Sequence, residues 1–169
     1  AHYNGKIPRN PFAMYHVDPD HKEREFLTLD ELTAMTEIKL EDPNMAFARD
    51  LFIFGSWTGI AFIDIKNLTE DNISMVNGAP WIVSKRQKTG VPFQIKLMDI
   101  PMQIVERYKS FRKGSHLFNI GNLDSINKRI KKVAVMCGIK KRVSFHVSRH
   151  SWAVLALEYG MPIESVSKI

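Results

Sequence analysis

The stretch Val143-Ser-Phe-His-Val-Ser-Arg-His-Ser-Trp-Ala153 places a histidine and an arginine three residues apart, where an extended segment meets a helix. Apolar residues at helical spacing predict that this helix covers residues 147–159. They are Val147, Ala153, Val154 and Leu157. His146 and Arg149 therefore fall in or near the first helical turn, where residues three apart share one face. The same spacing also fits a hydrogen-bonded core histidine beside a solvated arginine.

A histidine and an arginine at the start of a helix can hold one phosphate group together. Unpaired backbone N–H groups at this end of a helix favour anions. A guanidinium binds phosphate oxygens through a rigid two-pronged fork, and an imidazole can donate a hydrogen bond or transfer a proton near neutral pH. His146 and Arg149 are therefore candidate residues for chemistry at a phosphodiester.

The string around His146 and Arg149 resembles box II of the tyrosine recombinases, the lambda-integrase-like family, in which His-x-x-Arg is followed by His and an apolar helix. Upstream, Gly55-Ser-Trp-Thr-Gly-Ile-Ala-Phe-Ile-Asp-Ile-Lys-Asn-Leu68 is similar to box I of that family. The positions that match box I are Thr58, Gly59, Asp64 and Leu68. Ser84-Lys-Arg-Gln-Lys-Thr-Gly-Val-Pro92 resembles the β-hairpin that carries the family's catalytic lysine. The three segments occur in the family's order and span most of the chain from about residue 26.

The resemblance implies a role for each matching residue. Arg149 would stabilise the pentavalent phosphorane, His146 would assist by hydrogen bonding or proton transfer, and Lys88 would protonate the leaving 5′-oxygen. Lys85 is the rival for the lysine role, but it lies further from the Thr-Gly turn. Asp64 is expected to orient or pack against the active-site arginine rather than touch the substrate. No metal or other cofactor is expected, because the phosphotyrosine intermediate conserves bond energy.

One departure from the family pattern concerns the first catalytic arginine, whose position is occupied by Ala61. A methyl group cannot bind a phosphate oxygen, so another cation is needed or the active site is weakened. Arg86, two residues before Lys88, and Arg49, on the preceding helix, are the candidates. We favour Arg86 as a supporting residue because a hairpin can aim it at the same phosphate, although a solvated surface position would fit its sequence context as well.

The second departure concerns the nucleophilic tyrosine, which in this family lies well downstream of His-x-x-Arg. Tyr159 and Tyr108 lie on apolar or amphipathic segments and are expected to be packing residues, while Tyr3 and Tyr15 precede the domain. We therefore expect residues 25–169 to form a catalytic domain that is incomplete at its C-terminus and inactive in isolation. Residues 1–24, rich in proline and glycine, are predicted to be a linker from a missing upstream DNA-binding domain.

The remaining pattern predicts an α+β fold that is mainly helical. Helices are expected at about residues 28–38, 45–57, 61–67, 102–111 and 123–137, and Pro162 fits the first turn of another. Between residues 73 and 97, short apolar runs are separated by two strong turn signals, Asn77-Gly78 and Gln87-Lys88-Thr89-Gly90. These runs predict a small three-stranded antiparallel sheet.

Composition agrees with a nucleic-acid partner without proving one. The 169 residues carry a net charge of +6, and 44% of them are hydrophobic, which is enough for a real core. A single cysteine suits a reducing cytosol, and no apolar run is long enough to span a membrane. The candidate DNA contacts are Lys85, Lys128, Arg129, Lys131, Lys132, Lys140, Lys141 and Arg142. Such a charged run also fits an ordinary solvated surface.

The resemblance implies site-specific recombination of double-stranded DNA by a tetramer in the bacterial cytoplasm, of the type used by mobile elements such as conjugative transposons and phages. Two alternatives remain open. Ala61 allows a non-catalytic DNA-binding or regulatory relative, and the basic helices allow an unrelated module that binds a protein or RNA. A zinc site at His146 and His150 is not expected, because no third ligand of the right type is nearby.

Overall fold

The computed structural model describes residues 25–167 of the chain. The predicted linker at residues 1–24 and the last two residues, 168–169, lie outside this part. Within it, seven α-helices and three strands follow one another, with short 3-10 helices at Glu70–Asn72 and Lys109–Phe111. They are α1 (Leu29–Glu37), α2 (Pro43–Thr58), α3 (Phe62–Lys66), β1 (Ile73–Val76), β2 (Ala79–Lys85), β3 (Pro92–Lys96), α4 (Asp99–Arg107), α5 (Leu123–Met136), α6 (Phe145–Glu158) and α7 (Ile163–Val166).

The three strands form one antiparallel sheet in the order β1, β2, β3. Asn77 and Gly78 connect the first two strands, and both have positive φ angles, 50° and 75°, as a tight two-residue hairpin turn requires. The second connection is closed by a hydrogen bond of 2.9 Å from the Arg86 N–H to the Val91 carbonyl. The predicted fold class and both predicted turns are confirmed.

Helix α2 forms the centre of the core. All of residues 48–58 are buried except Trp57, which is half-buried. Helices α1, α4, α5 and α6 all pack against it, because a helix that is apolar on every side must be covered on every side. Neither this helix nor any other within residues 25–167 is long and apolar enough to cross a membrane.

The predicted start of α1 is confirmed by a reciprocal capping box. The Thr28 N–H donates to the Glu31 carboxylate at 2.8 Å, and the Glu31 N–H donates to the Thr28 hydroxyl at 3.3 Å. Helix α4 was predicted less well, because it begins at Asp99 and ends at Arg107 rather than covering residues 102–111. Pro101 explains the earlier start, since proline is tolerated in the first turn of a helix, where its missing N–H has no helical partner.

A buried carboxylate, that of Asp50, connects three helices. Its Oδ1 accepts a hydrogen bond of 2.5 Å from Arg49, and its Oδ2 accepts bonds from Arg107 and Tyr108 at 2.7 and 2.8 Å. Arg49 also donates to three backbone carbonyls at the end of α1. Together these bonds fasten α1, α2 and α4, and they leave Arg49 with its charge neutralised inside the protein.

We expect Asp50→Ala to lower the free energy of unfolding by about 3–5 kcal/mol, because Arg49 would remain buried without its counter-charge. The matched control is Glu106→Ala, which removes a carboxylate whose ion pair with Lys109 is exposed on both sides. That change should cost less than about 1 kcal/mol. Urea unfolding of both variants measures the difference, and equal losses would contradict the role given to Asp50.

Candidate active site

A small cavity of about 170 Å³ lies where the start of α6 meets α3 and α5. His146 and Arg149 both line it, one helical turn apart, as their spacing predicted. Helix α6 begins at Phe145, so His146 is its second residue. The other lining residues are Ile60, Ala61, Phe62, Leu123, Asn127, Ser144, Phe145 and Ser148. The cavity thus combines apolar walls with a few polar groups, as small binding sites commonly do.

Gly55 in α2 and Gly59, the residue that follows its last turn, allow α6 to approach closely. A Cβ on Gly55 would lie 2.6 Å from the Ser148 Oγ, and a Cβ on Gly59 would lie 2.5 Å from the Trp152 ring. Gly59 also has a φ of 69° and ends α2 in the left-handed conformation that glycine adopts at low cost. A side chain at either position would push α6, and with it the candidate site, away from α2.

Arg149 is held by the end of α2, because its guanidinium donates a hydrogen bond of 3.0 Å to the Gly59 carbonyl. Burial, followed by the positive charge of Arg86, lowers the pKa of Arg149, whereas the Asp64 carboxylate raises it. Arginine nevertheless stays protonated at neutral pH. The site therefore contains a half-buried cation with a second cation nearby, and an anion bound beside both would relieve their repulsion.

Asp64 ties the β2–β3 hairpin to α3. This buried carboxylate accepts a hydrogen bond of 2.8 Å from the backbone N–H of Gln87, the residue that follows Arg86. The bond anchors the hairpin next to box I and keeps Arg86 close enough to Arg149 to influence its pKa. Asp64 therefore has two effects here, since it positions the hairpin and offsets part of the positive charge.

Ala61 lines the same cavity, at the N-cap of α3, where the recombinase pattern has an arginine. Its methyl group offers no hydrogen-bond donor to a phosphate. Arg49 is unsuited to replace the missing cation, because it is 8% exposed and is bound to Asp50 and to carbonyls of α1. Arg86 is the candidate cation whose charge acts on Arg149.

Lys88 lies in the exposed turn between β2 and β3, as predicted, and Lys85 is the last residue of β2. Both side chains are exposed, and neither is among the described residues that line the cavity. The structure therefore brings His146 and Arg149 together, brings Arg86 near Arg149, and leaves Lys88 on a solvent-exposed turn.

Most of the candidate DNA contacts are exposed. Lys128, Lys131 and Lys132 lie on α5, where positions 128, 131 and 132 share one helix face. Lys140 is exposed in the loop that follows α5. Arg142 is also exposed, although its backbone N–H donates to the Glu25 carboxylate at 2.6 Å. These side chains form a solvent-facing set of positive charges.

Two members of the predicted set are less available at the surface. The Lys141 ammonium lies 2.6 Å from the Glu31 carboxylate and 5.4 Å from the centre of the Phe26 ring. Arg129 is half-buried on α5. A DNA phosphate would have to compete with Glu31 for Lys141.

The two described tyrosines, Tyr108 and Tyr159, do not line the cavity that contains His146 and Arg149. Burial and the hydrogen bond to Asp50 raise the pKa of the Tyr108 phenol. Tyr159 lies at the C-terminal end of α6 and lines a separate, mostly apolar cavity of about 690 Å³. Tyr108 is half-buried and suits a packing residue, whereas Tyr159 is 75% exposed, so the prediction that it packs inside the protein is wrong. Tyr3 and Tyr15 lie outside the described residues.

The sequence reasoning missed Asn127. Its side-chain oxygen accepts a hydrogen bond of 2.7 Å from the Phe145 N–H, so a residue of α5 caps the first N–H of α6. Ser144, at the N-cap position itself, makes no side-chain capping bond. No local pattern signals this contact, because the two residues are 18 positions apart in the sequence.

His146 and His150 make a ring contact, with centroids 4.4 Å apart and ring planes at 84°. Within residues 25–167, no group of three or more histidine, cysteine, aspartate and glutamate side chains is arranged to hold a metal ion. The histidine pair therefore has no third metal ligand beside it in this part of the chain.

Comparison with known proteins gives one family match, in which the model of the Phage integrase family covers residues 25–169. No curated protein sequence matches the chain significantly. Among solved structures, the fold is similar to XerA recombinase, with a TM-score of 0.69 and 19% identity over 86% of this chain and 54% of that one.

Two further similar structures contain DNA. The Tn1549 transposon integrase in complex with circular intermediate DNA has a TM-score of 0.70 and 16% identity, over 98% of this chain and 64% of that one. A lambda integrase dimer bound to a COC′ core site has a TM-score of 0.71 and 17% identity, over 100% of this chain and 65% of that one. This chain spans between about half and two thirds of these proteins, and at such identities the likeness shows the fold alone.

We expect Gly55→Ala to destabilise the protein by about 1–3 kcal/mol, because the added Cβ would meet buried Ser148 and the Phe145 ring. In an exposed helix the same change would stabilise by roughly 0.5–1 kcal/mol. The control is Gly121→Ala, whose Cβ would meet nothing within 4 Å and which should stay within about 0.5 kcal/mol of the wild type. Chemical unfolding checks both, and a stabilised Gly55 variant would contradict the close packing of α6 on α2.

Proposed function

Because the chain belongs to the phage integrase family, we propose that it is part of a tyrosine-type site-specific DNA recombinase and supplies the pocket for the scissile phosphate. The main support is the placement of His146 and Arg149 at one cavity, with Arg86 acting on Arg149. Like charges near each other in a partly buried site favour the binding of an anion. Double-stranded DNA supplies that anion as a phosphodiester.

In the proposed reaction, a tyrosine hydroxyl attacks the scissile phosphorus and the bond to the 5′-oxygen breaks. The products are a 3′-phosphotyrosyl link and a free 5′-hydroxyl. Attack by the 5′-hydroxyl of a partner strand reverses this step, so the number of phosphate ester bonds is conserved and no ATP is needed. Since Tyr108 and Tyr159 are placed away from the cavity, we propose that the nucleophile lies outside residues 25–167.

Each residue of the site has a distinct part in this proposal. Arg149 binds the non-bridging oxygens and stabilises the charge of the phosphorane. His146, one turn earlier, donates a hydrogen bond to the same phosphate or transfers a proton. Lys88 reaches the 5′-oxygen from its exposed turn and protonates it as it leaves. Lys85, at the end of β2, stays on the surface and contacts the DNA backbone.

We propose that Arg86 replaces the arginine that is absent at Ala61. The hairpin that contains Arg86 is fastened to α3 through the bond between Gln87 and Asp64. Because of this link, Arg86 on the hairpin can act on the phosphate in place of an arginine at position 61, at the start of α3. The effect of the Arg86 charge on the pKa of Arg149 supports the assignment, because it indicates that the two cations act on the same part of the protein.

DNA is proposed to run across the exposed face of α5 and the loop after it. The side chains proposed to contact its backbone are Lys128, Lys131, Lys132, Lys140 and Arg142, with weaker contributions from Arg129 and Lys141. Backbone contacts of this kind position a protein but do not read sequence. The intact enzyme is proposed to act as a tetramer on two duplexes, as a bacterial mobile-element integrase does.

A second candidate function, a non-catalytic DNA-binding relative, is supported by Ala61 in the wall of the cavity. The two functions differ in what Arg149 does. In an enzyme it stabilises a transition state, whereas in a binding protein it contributes only to affinity. Cleavage of bound DNA therefore separates them, and binding measurements alone do not.

We expect Arg149→Ala and Arg86→Ala in the full-length protein each to slow cleavage of bound DNA by roughly 10²–10³-fold, since each removes a donor to the developing charge. Lys39→Ala removes one exposed cation away from the cavity and serves as the control. The measurement is the single-turnover rate of covalent protein–DNA complex formation at saturating protein. Unchanged cleavage in Arg86→Ala would remove that residue from the site, and absence of any wild-type cleavage would favour the binding protein.

The neighbours Lys140 and Lys141 test the proposed DNA path with the same change in charge. Lys140→Ala should reduce the slope of log affinity against log salt by about 1, because one phosphate contact is lost. Lys141→Ala should leave the slope nearly unchanged, because its ammonium is paired with Glu31. Titration of labelled duplex at several salt concentrations measures both slopes, and the reverse order would contradict this DNA path.

A further inference from the structure

Asn127 is placed where it can bind the substrate as well as cap α6. It lines the same cavity as His146 and Arg149. Because the Phe145 N–H can only donate, the atom of Asn127 that lies 2.7 Å from it is the amide oxygen. The amide nitrogen is then on the opposite side of the planar group, and the orientation of the whole group is fixed by that bond.

The amide nitrogen of Asn127 carries N–H groups that are not used in a hydrogen bond. Within residues 25–167 it donates no hydrogen bond, and no buried side-chain nitrogen or oxygen in that part lacks a partner. The nitrogen therefore keeps some contact with solvent, on a residue that lines the cavity. A fixed donor that faces water in a phosphate-binding pocket costs little to redirect to an anion, because the protein does not have to rearrange.

We infer that the Asn127 amide nitrogen donates a hydrogen bond to a non-bridging oxygen of the phosphate held by His146 and Arg149, an inference that rests on the proposed function. The bond adds a neutral donor to a cavity in which Ala61 provides none. It also couples substrate binding to the start of α6, since the same amide group holds the Phe145 N–H. Lys131 follows one helical turn later on the same face of α5.

The simpler reading is that Asn127 only caps the helix. Aspartate separates the two roles, because its carboxylate accepts the Phe145 N–H as well as the amide does but offers no donor to a phosphate. Asn127→Asp therefore keeps the helix cap and removes the donor, and the stereoisomer measurement below separates the lost donor from the repulsion between the new carboxylate and the phosphate. Asn122→Asp is the matched control, since Asn122 accepts the Asp124 N–H at 2.7 Å at the start of the same helix.

The experiment uses the full-length recombinase and measures melting temperature, DNA affinity and single-turnover cleavage. We expect Asn127→Asp to melt like the wild type and to cleave roughly 100-fold more slowly, and Asn122→Asp to match the wild type in both. Cleavage by Asn127→Asp within about threefold of the wild type, less than the loss expected for a phosphate donor, would overturn the inference. An equal loss of cleavage rate in Asn122→Asp would also overturn the inference, because added negative charge alone would then be sufficient to slow cleavage.

A second measurement does not depend on how well a variant folds. A methylphosphonate at the scissile position replaces one non-bridging oxygen with a methyl group, and the two stereoisomers differ in which oxygen is lost. On the stereoisomer that lacks the oxygen bound by Asn127, Asn127→Ala should cleave as well as the wild type does, because the bond is already absent there. On the other stereoisomer the cleavage defect of Asn127→Ala should persist. Equal defects on both would overturn the inference, whereas normal cleavage by Arg149→Ala would instead contradict the proposed function.

Discussion

The close approach of α6 to α2 is the constraint on which the candidate site depends. Gly55 and Gly59 leave no room for a Cβ, and the space they vacate is filled by Ser148 and Trp152. Because interiors are packed at close to crystal density, such a contact fixes the position of a helix to within a fraction of an ångström. The Gly59 carbonyl then accepts the hydrogen bond from Arg149. One helix contact therefore sets both where α6 lies and where its arginine points.

The electrostatics of the site follow from the same contact. Placing Arg149 in a half-buried position near Arg86 lowers its pKa, which means that the charged form is less stable there than in water. Asp64 offsets part of this cost, and its bond to Gln87 keeps it in place. A bound phosphate would offset more, since it carries a full negative charge. The folded protein thus tolerates an unfavourable arrangement of charges that becomes favourable when an anion is bound.

The features that the sequence predicted are those encoded by nearby residues. The start of α1 at about residue 28, the hairpin turn at Asn77 and the shared face of His146 and Arg149 each depend on residues within four positions of one another. Contacts between distant residues were not predictable in this way. Lys141 is a candidate DNA contact, and its pairing with Glu31, which the sequence did not indicate, joins residues 110 positions apart. Asn127 was missed for the same reason, because its cap on α6 depends on how two helices pack.

The loss of an arginine at Ala61 is easier to accommodate in this fold than the sequence pattern suggests. The proposed phosphate-binding groups come from the β2–β3 hairpin, α5 and α6, and hydrogen bonds between residues far apart in the sequence connect the hairpin to α3 and α5 to α6. The Asp64 carboxylate joins α3 to the hairpin, and the Asn127 amide joins α5 to α6. A donor lost from one element can then be supplied by a linked neighbour, because the link keeps the distance between them fixed. If Arg86 replaces the missing arginine as proposed, the arrangement of donors around the phosphate would be preserved although the element that provides one of them would differ.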